Sequence, residues 1–366
     1  MRRRNEDDSE SPEDVDTTAD RPSSGRFAGE IRDAVSGRTF LLIVGVLLLQ
    51  LGFILSYVGA FHQPAPHRIA VTVVGPAPAA EPMADRLDDL PEEPLRARTG
   101  VDLSSARQLL TEGATSAVFV LEPASSADRL LLATAGGSAK AEAVERIVGQ
   151  VQRERQRSLS VRDVVPAQPG DSRGLTGFYL VVGWTVGGYL VASLLGVSRG
   201  ARPANPTRAS IRLAAVVLYA VVSGLGGALV VGPWLEALTG HVVPLWWLGA
   251  LLVFAAAAVT MAFQALFGVL GIGLTVLLFV VLGNPSAGGA YAPEMLPAFW
   301  RAISGALPNG AGTEAVRHIV YFGSHHVTGD VLVIAAYALG GVVVALLGAL
   351  LRARREDGDP SAGAFY

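Results

Sequence analysis

Long apolar runs alternate with polar stretches along this chain. Residues 40–60 (FLLIVGVLLLQLGFILSYVGA) form one unbroken apolar run, enough for the roughly 20 residues that a bilayer crossing takes. Further apolar blocks cover 178–197, 211–234, 244–282 and 331–351. The block 244–282 is too long for one crossing of about 30 Å at about 1.5 Å per residue, so it predicts two helices. A tight turn is expected near residues 264–268. The pattern predicts a multi-pass α-helical membrane protein with six transmembrane helices, one over 39–61 and five within 176–351. An uncleaved anchor fits the first run better than a signal peptide, whose apolar core is about 7–15 residues.

Between the first and second runs the period changes. Residues 62–175 alternate between a repeat of two and one near 3.6, as strands and helices do. Strands are expected at 69–74, 95–98, 115–121, 129–133 and 161–165. Helices are expected at 82–90, at 104–111 behind Asp102 as N-cap, and at 138–156, where Ala141, Val144, Ile147, Val148 and Val151 form a stripe. This alternation predicts an α/β layer domain. Residues 1–25 are acidic and nearly devoid of apolar side chains, which predicts disorder. In 26–38, Phe27, Ile31 and Val35 recur every fourth residue among arginines, which predicts an amphipathic interfacial helix.

Charge sets the orientation. Arg21, Arg26, Arg32 and Arg38 precede the first span, Arg199, Arg202, Arg208 and Arg212 lie around the connection between the second and third, and Arg352, Arg354 and Arg355 follow the sixth. Of the opposite loops, 232–243 has no Arg or Lys and 283–330 has only Arg301 and Arg317. Basic residues favour the cytoplasmic side. Both termini, including the tail 352–366, are therefore expected inside, with the domain 62–175 and the loop 283–330 outside. The groups share one side only if the span count is even.

Composition agrees. Hydrophobic residues make up 51% of the chain and charged ones 17%, against about 25% charged in soluble domains. Mean hydropathy is +0.41. A net charge of -3 gives no reason to expect nucleic acid. Arginine in place of lysine, with heavy use of alanine and glycine, suggests a GC-rich bacterial genome and so a bacterial cell membrane.

Candidate chemistry is sparse. A phosphate-binding loop needs G-x-x-x-x-G-K-[ST], and the one lysine, Lys140, lies between Ala139 and Ala141. Energy from ATP would have to come from another subunit. His318, His325 and His326 are a three-histidine set for zinc or, more simply, loop histidines. Asp128 and Asp163 lack an evident partner carboxylate, and there is no cysteine. No enzyme and no cofactor are expected. Polar side chains within the spans, among them Tyr179, Trp184, Tyr189, Tyr219, Thr260 and Gln264, either line a pathway or make helix–helix hydrogen bonds. Small residues at four-residue spacing (Gly183 and Gly187, Ser223 and Gly227, Ala336 and Gly340) predict close helix packing. In 283–330, Leu296, Trp300, Ile303 and Leu307 form one helical stripe, Pro308-Asn309-Gly310 breaks it, and Thr313 caps a second helix to Phe322.

The segments NPSAGG, LPAFWRAIS and LPNGAGTEAVR, followed by Tyr321-Phe322, resemble the last extracellular loop of type-2 ABC transporter permeases, in the branch that includes the phage infection protein family. GDSRGLTGFYLVVGWTVGGYL and SRGARPANPTR are similar to actinobacterial members. The resemblance implies a membrane subunit of an exporter for a lipophilic or envelope-related substrate, working as a homodimer or heterodimer in contact with membrane lipid. It implies a cytoplasmic ATPase partner at Arg199, Arg202, Arg208 and Arg212. It implies outer gate helices over 297–307 and 313–322, including Pro297, Trp300, Ile303, Leu307, Thr313, Arg317 and Tyr321. The alternative is a non-transporting scaffold or receptor that displays its α/β domain.

Overall fold

The computed structural model describes residues 37–200 and 206–357, without the side chains of residues 38, 199 and 355–357. The acidic tail, nearly all of the interfacial helix expected over 26–38, Arg202 and the chain from residue 358 lie outside the described residues. Two compact units divide the chain, Met1–Gln50 and Leu51–Tyr366. The described part of the first is the leading stretch of helix α1 (Gly37–Phe61).

In the second unit, α1 leads into a mixed sheet. Strand β1 (Ile69–Val74) pairs in parallel with β2 (Leu95–Thr99) and β3 (Ala117–Val120). Strand β4 (Ala127–Leu132) pairs antiparallel with β3 and parallel with β5 (Ser158–Asp163). The order is β2-β1-β3-β4-β5. On one face, Met83 and Leu87 of α2 (Ala77–Asp88) and Ala141, Val144, Val148 and Val151 of α4 (Ser138–Glu154) pack on Val71, Phe119 and Leu130. On the other, Ala106 and Leu110 of α3 (Leu103–Thr111) meet Val118, Val120 and Leu131. Asp102 caps α3, its carboxylate accepting from Ser105 N at 2.8 Å. Helix α2 starts five residues before the expected 82, because Pro78 fits the first turn, where no N–H partner is needed. Asp128 is 1% exposed and accepts from Arg157 at 2.7 and 2.8 Å, Gln152 at 2.6 Å and Glu122 N at 2.8 Å. It ties the start of β4 to the start of β5.

The remaining helices are α5 (Thr176–Arg199), α6 (Pro206–Leu229, extended by a π turn Val230–Trp234), α7 (Val242–Phe267), α8 (Leu270–Val276), α9 (Ala298–Ser304), α10 (Pro308–Tyr321) and α11 (Val327–Asp357). Among the described residues, five are long and apolar enough to cross a membrane: α1, α5, α6 with its π turn, α7 and α11. The sixth expected span is a shorter apolar helix, Leu270–Ser286, in which α8 runs into a π segment, Leu277–Gly283. The turn before it falls at Gly268, whose φ of +64° suits glycine and whose N–H donates to Gln264 O at 2.8 Å.

Helix α7 is the centre of the bundle and packs against α5, α6 and α11. Its buried run Ala255–Ala258 presents almost no side chain, so neighbouring backbones come close. Each neighbour supplies a glycine: Gly188 on Val253 and Ala256, Gly224 on Trp246 and Ala250, Gly341 on Ala258 and Val259, where an added Cβ would lie under 3.0 Å from backbone. Gly188 and Gly341 stand one residue beyond the expected Gly187 and Gly340, and Gly224 one beyond Ser223. A step of one residue turns about 100° around a helix, so Gly183 and Gly340 face open space instead. Gly187 and Gly227 serve the α5–α6 contact, against Tyr219 and Trp184.

Candidate functional site

Segment 283–330 joins the sheet domain to the bundle, and its helices differ from the expected 297–307 and 313–322. Helix α9 covers only Ala298–Ser304; Pro297 is its N-cap, and Leu296 is extended. Helix α10 begins at Pro308, not Thr313, with Leu307 as N-cap. Proline is well placed at a first helical position, and Gly310, expected in the break, serves close approach on the Ser304 carbonyl, as Gly312 does on Leu252 and Val181. Thr313 is inside the helix, its hydroxyl donating to Asn309 O at 2.8 Å.

Helix α10 is not a surface hairpin. Ala311, Ala315, Val316 and Ile319 are buried with Val181, Trp184, Leu252 and Val253 of α5 and α7. Its first turn holds a buried amide pair. Asn309 Nδ2 donates to Asn284 Oδ1 at 2.7 Å and to Phe279 O, in the π segment, at 3.1 Å. Trp300 of α9 packs with Ala60 and Leu296, flanked by Ile303.

The same segment enters both cores of the sheet domain. Met295 joins the α2/α4 face and Phe322 the α3 face. Gly113, at φ +78°, makes room for the Phe322 ring. Polar ties surround these insertions. Amides of Ala65 and His67 donate to Met295 O at 3.2 Å and Glu294 O at 2.9 Å. Lys140 pairs with Glu294 at 3.1 Å. Burial alone would raise the Glu294 carboxyl, but the Lys140 charge and hydrogen bond, a backbone hydrogen bond and the Arg317 charge together outweigh it and hold it below the ordinary value. Arg317, 7% exposed, pairs with Glu314 and donates to Gly288 O at 3.1 Å. Tyr321 donates to Asp171 at 2.8 Å, and Asp171 accepts from Thr176 N at 2.8 Å. Burial, then the Asp171 contact, pushes the Tyr321 phenol up.

The pathway candidates do not form one line. Tyr179 and Trp184 share a cleft of about 630 Å³ between α5 and α6, with Gly183, Ser223 and Val230. Trp184 is also a packing residue, its indole lying against Gly227 and Gly249 and donating to Ser223 O at 3.3 Å. Tyr189 packs near Phe279, and Tyr219 faces Gly187. Thr260 donates to Ala256 O at 2.7 Å. Gln264 lies against Gly196, and its Nε2 has no hydrogen-bond partner among the described residues. Arg208 and Arg212 open α6, with Arg212 donating to Gly200 O at 3.0 Å; the Arg199 side chain and Arg202 are not described.

His318 Nδ1 pairs with Asp330 Oδ2 at 3.0 Å, which ties α10 to α11. Among the described residues no group of three or more His, Cys, Asp or Glu is arranged to hold a metal ion. Sequence reasoning missed the Met295 and Phe322 insertions, the Asn284–Asn309 pair and the Asp171–Tyr321 contact. Met295 and Phe322, apolar residues at the edges of short helices, were the available signal. No family model, curated protein or solved structure matches the chain.

Proposed function

We propose that this chain is the membrane subunit of an ATP-driven exporter for a lipophilic or envelope-related substrate, in a bacterial cell membrane, served by a separate cytoplasmic ATPase. The observation that carries the reading is α10. It is a short helix buried among α5, α7 and α11 at the end of the bundle that bears the sheet domain. A decorative loop would not displace helix–helix contacts in this way, whereas a gate at one end of a path would.

Six crossings are part of the proposal. Gly271, in the first turn of α8, lies beside Phe263 near the end of α7, and Asn284, in the last turn of that apolar helix, lies beside Asn309 at the domain end. The shorter helix thus carries the chain back along α7, which supports an even count. Arg208, Arg352 and Arg354 then fall opposite the sheet domain, on the cytoplasmic side by charge. The cleft holding Tyr179 and Trp184 supports an amphipathic substrate, with aromatic and apolar walls and few polar groups. A scaffold whose spans merely anchor it would not need Met295 and Phe322 inside its displayed domain.

Purification of the tagged protein in mild detergent tests the proposal. A stoichiometric ATPase should co-purify, and Arg202→Glu with Arg208→Glu should release it. Reproducible absence of an ATPase would overturn the reading. Topology has its own test, because the chain has no cysteine. Cysteines placed at Ala204 and Val269 should resist a membrane-impermeant reagent added to intact cells, and one at Ala124 should react.

A further inference from the structure

Strand β2 is an edge of the sheet, and two of its outward residues are arginines. Arg96 and Arg98 are exposed and alternate with buried Leu95 and Ala97. They stand in register with Ala70 and Thr72 of β1, on the face that α3 covers. Both line a cleft of about 220 Å³ with Thr72, Thr99, Thr115 and Leu109. No carboxylate is among the lining residues. Among the described residues neither guanidinium has an ion pair or a hydrogen bond.

Charged side chains on an edge strand can simply discourage edge-to-edge pairing. That role asks for no cleft and no hydroxyls. Here two like charges, about 7 Å apart along the strand, share one concavity backed by threonines. The arrangement suits a tetrahedral oxyanion, because guanidinium groups bind phosphate in a forked geometry; the Thr115 hydroxyl already donates to Ala70 O at 3.1 Å, so the arginines carry the binding. The cleft is smaller than the roughly 300–1,000 Å³ of drug-sized ligand sites, so it suits a headgroup-sized anion. It also lies towards the bundle. Ala114 and Thr115 line it, next in the chain to Gly113, which packs on Phe322. Seven residues separate the end of α1 from strand β1, which begins just after the Met295 and Glu294 ties.

We propose that Arg96 and Arg98 form a binding site for a phosphate group, either on the headgroup of an anionic lipid or free in solution. The site does not depend on whether the chain transports anything.

The test uses the full-length protein in maltoside micelles, which contain no phosphate. Calorimetric titrations with inorganic phosphate and with dihexanoyl phosphatidylglycerol should both saturate and weaken as salt rises. Arg96→Gln with Arg98→Gln should weaken both at least tenfold. Both side chains are exposed, so the fold should tolerate the change. As a second variant, Ala114→Glu puts a carboxylate beside the arginines and should have the same effect. Tighter binding of the lipid than of inorganic phosphate assigns the site to a headgroup, and equal binding assigns it to free phosphate. No saturable binding of either probe, or binding unchanged in both variants, overturns the proposal.

Discussion

Removing the Phe322 ring should loosen the sheet domain rather than the helices that carry it. Phe322 is 4% exposed and packs with Val74, Leu110, Val118 and Leu131. An aromatic side chain buries about 150–250 Å², worth about 4–6 kcal/mol at about 25 cal/mol per Å². Measured Phe→Ala changes in cores cost about 3–5 kcal/mol. Phe322 caps a core at its rim, where neighbours can relax, so about 4 kcal/mol is the working figure for Phe322→Ala. That is about a thousandfold in a local opening equilibrium. The assay is hydrogen exchange, read by mass spectrometry, on the full-length protein in detergent. Amides of α3 and β3 should exchange up to about a thousandfold faster, with α7 unchanged. Unchanged exchange in α3 and β3, or equal loosening of α7, would refute the reasoning.

Asp128→Asn should cost about 3–5 kcal/mol at pH 7, as expected when one partner of a buried ion pair is removed. Burial alone would raise the Asp128 carboxyl, but Arg157, the Glu122 amide and Gln152 outweigh it and hold it below the ordinary value. Its contribution is therefore complete above about pH 4, the unfolded value, and is lost as pH falls below that. Thermal unfolding from pH 7 to 3 should show an acid loss in the parent that is smaller in Asp128→Asn; equal losses would sink the idea. Gly224→Val should abolish the monodisperse peak in size-exclusion chromatography, because its Cβ meets the backbone of Trp246 and Ala250, while Gly183→Val, facing open space, should leave the peak intact. Asn309→Leu should lower the melting temperature by an amount matching about 1–3 kcal/mol, since Asn284 loses a buried partner; no change would show that the pair contributes nothing.

Elements whose pattern stated their surroundings were legible from sequence. The β-branched run Ile69–Val74 and the stripe along Ser138–Glu154 gave a strand and a helix in place. Asp102 marked the start of α3 because the cap is a local bond. Local chemistry misled where the cause was a distant neighbour. Pro308-Asn309-Gly310 reads as a break, yet Pro308 opens a helix and the missing side chain of Gly310 admits Ser304. Span length was the weakest inference, because hydropathy does not reveal that Leu270–Ser286 contains a π segment. The site was half legible. Trp300, Arg317 and Tyr321 were singled out, but their partners Ala60, Gly288 and Asp171 lie up to 240 residues away in sequence and no periodicity links them.

The two inserted side chains also impose a timetable on biosynthesis. Strand β3 ends at Val120, and the ring that closes its face is Phe322, about two hundred residues later. At roughly 5–20 residues per second the ribosome takes about 10–40 s to cover that distance. For that interval the sheet waits on the membrane surface with one side unsealed, while four further apolar helices are still to be delivered. The nascent domain is then a client for chaperones and proteases. Truncation anywhere before residue 322 should leave it unfinished, however complete its own sequence is.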